Sequence, residues 1–265
     1  MVEGMPLLLL VAVILAAAVM AGVWFVAMRI RNAGIVDVAW AGTFGVLAAI
    51  YALAGRGYGP RKILICSMMI LWSLRLTAYL YRRVAGMHPE EDGRYQQLRE
   101  AWSKNLGARL FWFFQLQGLL NVLLSVPVLL ACLNPELGLR WLEWVGAGIW
   151  VIAVAGESLA DRQLERFKAD PRNRGSVCQS GLWYYSRHPN YFFEWLVWLS
   201  YFVFALASPF GYFTLYCPLL MLFFLFRVTG IPLTEEQAVR SKGDAYREYQ
   251  QTTSAFVPWL KRAAR

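Results

Sequence analysis

The chain has 265 residues, 58% of them hydrophobic, with a formal net charge of +9 and a positive mean hydropathy. A soluble domain carries about 45–50% apolar residues, and the excess here lies in runs of about 20, the length that crosses about 30 Å of hydrocarbon as a helix. That excludes an ordinary soluble globule, and lipid leaves such runs no choice but helix because it offers no partner to an open backbone.

Seven spans are expected, in an all-α polytopic membrane protein forming a single domain over 1–265. The first, about 6–28, ends at Arg29 and Arg31. The residues before it, MVEGMP, lack the basic start of a secretory signal, so this run is expected to be retained. The second, about 34–54, closes on Gly55, Gly57, Gly59 and Pro60. The third, about 62–82, ends at Tyr81-Arg82-Arg83, and the fourth is about 109–133. The fifth, about 141–160, runs into a polar helix from Asp161 to Lys168 and opens a motif-rich C-terminal region, about 141–265. The sixth, about 190–207, stops at Ser208-Pro209. The seventh, about 210–229, is broken by Pro218 and stopped by Gly230 and Pro232. The short break between the last two predicts an antiparallel pair.

Lys and Arg set the expected orientation. The segments after spans one, three, five and seven hold 21 cations against four elsewhere, with Arg75 left inside span three. The positive-inside rule then puts the N-terminus outside and the C-terminus in the cytoplasm. This sorting signal accounts for the net charge, so no nucleic-acid partner is expected. The four cysteines, Cys66, Cys132, Cys178 and Cys217, form no CxxC pair and three lie in apolar runs. They read as buried thiols rather than a disulfide framework or a metal site, and no metal is expected.

Two cytoplasmic loops carry more than positive charge. One runs from His88 through Glu90-Glu91-Asp92-Gly93-Arg94-Tyr95 to Arg99. The other ends Trp183-Tyr184-Tyr185-Ser186-Arg187-His188-Pro189-Asn190-Tyr191-Phe192-Phe193-Glu194. Cations suit phosphate, aromatic faces suit stacking, and carboxylates or amides suit ribose hydroxyls. A solvated, salt-bridged loop is the plainer reading. Polar groups also sit within the apolar runs: Asp37 early in span two, Arg75 mid-span three, Glu157 and Asp161 one turn apart in span five, and Asn190 and Glu194 one turn apart in span six. A charge in hydrocarbon costs a few kcal/mol or more, so each should face a bundle interior or a watery cavity. A structural ion pair, such as Asp37 with Arg75, would explain some of them. Taken together they predict a polar cavity opening to the cytoplasm and covered by its loops.

Several of these stretches are similar to those of one family. Gly181-Leu182-Trp183, Ser186-Arg187-His188-Pro189-Asn190-Tyr191 and Glu194 resemble the C-terminal motif of the steroid 5-alpha-reductase superfamily. Asp161-Arg162-Gln163-Leu164, Ile35-Val36-Asp37-Val38-Ala39-Trp40, Glu91-Asp92-Gly93-Arg94-Tyr95, and the tail from Tyr246-Arg247-Glu248-Tyr249 to Phe256-Val257-Pro258-Trp259 also resemble it, the middle stretches most closely its bacterial branch. The matches keep their order over nearly the whole chain.

The resemblance implies an NADPH-dependent reductase of an enone such as a Δ4-3-ketosteroid, in a bacterial inner membrane. Hydride goes to the β-carbon and a proton to the α-carbon. It further implies a lipophilic substrate entering from the bilayer, a lipid environment and a monomer. By motif match the cofactor contacts expected are Asp161, Asn190 and Glu194, then Arg75, Arg83, Arg94, Tyr95, Glu157, Lys168, Arg187, His188 and Tyr191. The family polarises its carbonyl with a Gln-Glu pair on the second span and a Tyr on the third. The corresponding positions here are Asp37-Val38 and Trp72, with Tyr79 the nearest phenol, so Asp37, Trp72 and Tyr79 are the expected catalytic set. Asp37 can act as the acid if burial keeps it protonated.

One alternative shares the motif. Membrane methyltransferases of isoprenylcysteine or phospholipids carry a similar Arg-His-Pro-x-Tyr stretch and bind S-adenosylmethionine. That cofactor is itself cationic, so cation-rich loops favour a dinucleotide. A transporter would be expected to show an inverted repeat, and none is apparent. A passive scaffold leaves Asp37 and Arg75 unexplained.

Overall fold

A computed structural model of the chain describes residues 4–87, 90–228 and 230–261. Among these the structure is helical, without strands. Six helical stretches are long and apolar enough to cross a membrane: Met5–Ile30, Ile35–Ala54, Gly59–Met87, Ser103–Leu133, Trp141–Ala169 and Gly211–Lys242. They mark a multi-pass membrane protein. The expected sixth span corresponds to Pro189–Ala205, which at 17 residues is the shortest of the candidates.

The chain divides into two compact units, Met1–Trp141 with Phe204–Gly211, and Leu142–Val203 with Tyr212–Arg265. Apart from 204–211, the second coincides with the motif-rich C-terminal region.

The first unit holds α1 (Met5–Ile30), α2 (Ile35–Ala54), α3 (Gly59–Met87), the short α4 (Gly93–Ala101) and α5 (Leu106–Leu133). α1 ends where Arg31 turns left-handed, at φ 54°. Small residues let α2 and α3 approach closely, as lipid-embedded helices require. The buried Ser73 hydroxyl donates to Ala41 O at 2.6 Å and accepts from Gly45 N–H at 3.1 Å. A Cβ on Gly45 would lie 2.9 Å from that hydroxyl. Asn121 ties α5 to α2, its Nδ2 donating to Trp40 O at 2.9 Å.

The far ends of α2 and α5 meet through backbone. Gly57 N–H donates to Cys132 O at 2.8 Å and Tyr58 N–H to Asn134 O at 2.9 Å. The last carbonyls of a helix lack intrahelical donors, and two cations supply them. Lys62 Nζ reaches Ala52 O (3.0 Å) and Gly55 O (2.7 Å). The fully buried Arg61 donates to Asn134 O, Glu136 O and Gly138 O at 3.1, 2.7 and 2.8 Å.

The second unit is built on α6 (Trp141–Ala169), the one-turn α7 (Leu182–Tyr185), α8 (Pro189–Ala205), α9 (Tyr216–Phe223) with a π-helical turn at Phe224–Val228, α10 (Ile231–Lys242) and α11 (Asp244–Thr252). Gly156 makes room for α8, since a Cβ there would fall 2.3 Å from the Phe193 ring. Trp150 Nε1 donates to Tyr201 OH across the same pair at 3.2 Å. Gly181, at φ 60°, turns the chain so that Leu182 N–H meets Gln163 Oε1 at 2.9 Å. The tail after α11 runs back along residues 185–187. Arg187 N–H donates to Ser254 O (2.8 Å), Ser186 Oγ to Phe256 O (2.8 Å) and Trp259 N–H to Tyr185 O (2.9 Å).

Candidate functional site

The sequence-derived residues gather into two clusters, one in each unit. The first sits where the α3–α4 loop meets the α1–α2 turn. Glu91 pins the loop: its Oε1 accepts Ala33 N–H at 2.6 Å, and Arg99 donates to it in a fork, Nε to Oε2 at 2.9 Å and Nη2 to Oε1 at 3.0 Å. Asp92 caps α4, accepting Arg94 N–H and Nε at 3.0 and 3.2 Å, and also pairs with Arg83. Arg94 Nη2 then donates to Asp37 Oδ2 at 3.0 Å, and Tyr95 OH donates to Asp37 Oδ1 at 2.7 Å. A small cavity beside them is lined by Asn32, Gly34, Asp37, Leu80, Arg83 and Asp92, among others.

Charge pairing governs titration here. Burial opposes ionisation of Asp92, but the Arg94 guanidinium and backbone N–H, helped by Arg83, outweigh it and hold the carboxyl below its usual range. Burial, reinforced by the Asp37 carboxylate, pushes the Tyr95 phenol well above its ordinary value, so it stays a donor. Arg94 is raised too, because Asp37, Tyr95 and Asp92 offset the desolvation that opposes its charge.

Asp37, Arg83, Arg94 and Tyr95 are thus brought together, with Asp37 paired to Arg94. Arg75 and Tyr79 are half-buried one turn apart on α3. Trp72 is fully buried, its ring edge-on to Phe44 at 5.5 Å, which places it in the packed core. His88 lies outside the described residues.

The second cluster is built around Glu235 on α10. Arg187 Nε donates to Glu235 Oε1 at 2.6 Å, and its Nη1 caps α11 through Gln250 O (2.9 Å) and Thr253 O (2.5 Å). His188 Nε2 lies 3.2 Å from the same Glu235 oxygen, while Gln250 Nε2 donates to the other at 2.9 Å. The His188 ring stacks on Tyr191, with centroids 5.3 Å apart and planes 5° off parallel, and Tyr191 OH is 3.2 Å from Thr234 Oγ1. Tyr249 OH donates to the carbonyls of Trp183 and Ser186. The motif's His is therefore buried and its Arg largely shielded, and both turn onto Glu235, where they join α8, α10 and α11.

Around them, Glu157 and Asp161 are buried one turn apart on α6, and Lys168 is exposed on its last turn. Glu194 accepts Trp198 Nε1 at 2.9 Å. Asn190 Oδ1 is buried and has no hydrogen-bond partner among the described residues.

Sequence reasoning missed Glu235, Gln250, Glu91 and Asp92 as site residues. The last two stood in the motif already singled out. Glu235 sits in a polar helix beyond the last span, and nothing in its local pattern tied it to Arg187, 48 residues earlier.

Comparison with known proteins gives one described relative and one family. The uncharacterized protein C594.04c of Schizosaccharomyces pombe is 28% identical over an alignment 272 positions long, covering 89% of this chain and 76% of its own length. Comparison with solved structures gives no match. The sequence profile of the family described as "Protein of unknown function (DUF1295)" matches residues 23–253, and the chain belongs to that family.

Proposed function

We propose that this protein is a membrane oxidoreductase that reduces the C=C bond of a lipophilic enone, Δ4-3-ketosteroid-like, with NADPH. The observation that carries the reading is the Asp37–Arg94–Tyr95 triad, with Arg83 and Asp92 beside it. It joins two guanidiniums and a buried phenol at one end of α2 and α3, the chemistry that anchors phosphate and polarises a carbonyl. DUF1295 is associated with steroid 5-alpha-reductase-like proteins, which supports the same reading.

Each cluster, taken by itself, offers groups that suit part of a dinucleotide. The Arg83 side chain is 44% exposed and able to turn toward a phosphate. Asn190 Oδ1 is a buried acceptor suited to a ribose hydroxyl or a carboxamide N–H. Bound NADPH supplies the hydride, and the protein supplies orientation, exclusion of water and a proton. Reduction of an enone puts negative charge on the carbonyl oxygen, which needs a donor set in advance. Asp37 accepts from a guanidinium and a phenol. In this reading Asp37 holds Tyr95 and Arg94 in place, and when substrate binds Tyr95 turns its one proton from Asp37 to the carbonyl oxygen. Arg187 and His188 position α8 through Glu235, so that Asn190 and Glu194 present one face. In this reading the bundle has seven spans, α8 included, with the N-terminus outside and the C-terminus cytoplasmic.

The test is thermal stability of the purified protein in detergent with NADPH, NADH or S-adenosylmethionine, since a ligand bound only by the native state raises stability by mass action. NADPH is expected to stabilise most, and Arg83→Gln to reduce its advantage over NADH. Stabilisation by S-adenosylmethionine and not by NADPH would overturn the reading in favour of a methyltransferase.

A further inference from the structure

All four cysteines are free and buried, and two of them meet. Cys66 lies in the second turn of α3 and Cys132 is the penultimate residue of α5. Their sulfur atoms are 3.3 Å apart although 66 residues separate them. They are 2% and 0% exposed. Buried thiols usually serve as small apolar packing groups, but these two face each other directly.

The backbone packs closely around Cys132 and keeps the two sulfur atoms facing each other. The chain passing over Cys132 is glycine backbone: a Cβ on Gly55 would lie 2.6 Å from the Cys132 carbonyl oxygen and 3.0 Å from its Cβ, and one on Gly57 would lie 2.5 Å from that oxygen. The Lys62 ammonium is held over the same turn by Ala52 O and Gly55 O.

We infer that Cys66 and Cys132 are an oxidative modification site, closed to a disulfide by a peroxide. The sulfur of one cysteine attacks one oxygen of the peroxide, ROOH. The O–O bond breaks, an alcohol or water leaves carrying a proton, and the sulfur becomes a sulfenic acid. The second sulfur then attacks the first, the S–O bond breaks, and water leaves with the second thiol's proton. Two electrons pass from the sulfur pair to the peroxide. A disulfide has its sulfur atoms about 2.05 Å apart, so closure asks for only about 1 Å of approach. The ring it closes spans residues 66–132 and contains Arg83, Asp92, Arg94 and Tyr95. A crosslink of that span restricts the unfolded chain and stabilises the folded one.

The experiment treats the full-length protein in detergent with hydrogen peroxide, then measures intact mass, maps peptides and follows thermal unfolding. The expected result is a mass lower by two hydrogen atoms and a linked pair of peptides carrying Cys66 and Cys132. The melting temperature should also rise, and dithiothreitol should reverse all three. The double variant Cys178→Ser, Cys217→Ser should still form the link, and Cys66→Ser should not. If the unaltered protein instead gains oxygen at these positions without a link, or keeps both thiols alkylatable after denaturation, the inference is wrong. Both of those outcomes are read on the unaltered protein, so they hold whether or not any variant folds.

Discussion

Asp37 shows how a carboxyl at the start of a span can have both oxygens satisfied. Its two oxygens take one guanidinium proton and one phenol proton, at 3.0 and 2.7 Å. Tyr95→Phe removes one of these bonds from a buried ring and should cost about 1 kcal/mol of stability, read from denaturant or thermal unfolding. Asp37→Asn keeps an acceptor but loses the charge that aims Arg94. It should lower enone turnover by about 100-fold while leaving NADPH protection largely intact, and unchanged turnover would remove Asp37 from the mechanism. Glu235 is the corresponding residue of the second cluster. Its ion pair with Arg187 has side chains only 10% and 15% exposed, for Arg187 and Glu235 respectively. Losing one partner of this partly buried, charge-assisted pair leaves Arg187 without its carboxylate, so Glu235→Gln should destabilise by about 1.5 kcal/mol. A melting temperature equal to that of the unaltered protein would show that Glu235 does not hold Arg187 and His188. Asp92 adds a pH dependence with a defined sign. Its folded-state pKa is depressed, so its contribution is complete above the unfolded value of about 3.9 and is lost as pH falls from there through the folded value. The protection factors of amides in residues 90–102, which are exchange rates corrected for their intrinsic pH dependence, should therefore fall below about pH 4 and stay level between pH 5 and 8.

At the scale of elements, the cations fall into distinct roles. Arg61 and Lys62 cap carbonyls at the ends of α5 and α2, while Arg83 and Arg94 belong to the candidate site. Arg61 serves three carbonyls spread over residues 134–138 with a planar fork, and the single ammonium of a lysine does not reproduce that geometry. Arg61→Lys should cost about 2 kcal/mol or more, measured by thermal unfolding, and an unaffected melting temperature would contradict the cap. Six of the seven expected spans were legible in the sequence because runs of apolar residues and their Gly, Pro and Arg punctuation act locally. Helix ends inside the loops were less so: α4 depends on Asp92 as its cap, and α10 and α11 are short polar helices held by Arg187 and Tyr249. At 12 and 9 residues they are too short to be stable alone, so tertiary contacts decide them.

For the whole molecule, the ordered motifs located both clusters, and the charge bias marked the loops that build the first. Their wiring was not legible. Asp37 finds Arg94 and Tyr95 across 57 and 58 residues, and Arg187 finds Glu235 across 48. No local pattern encodes such pairings. Shielding of the Arg-His-Pro motif's Arg and His is equally a product of the fold, since the same residues on an open loop would have been free for phosphate. The division of the chain at residue 141 was visible only as the start of the motif-rich region. The central claim is that this bundle passes a hydride to an enone. The most direct test supplies the purified protein with a Δ4-3-ketosteroid and NADPH deuterated at nicotinamide C4, then analyses the product by mass spectrometry and NMR. The account predicts a saturated ketone carrying deuterium at the β-carbon and an equal amount of oxidised cofactor. Unreduced enone, with a methyl group transferred from S-adenosylmethionine to a lipid acceptor in parallel reactions, would contradict it.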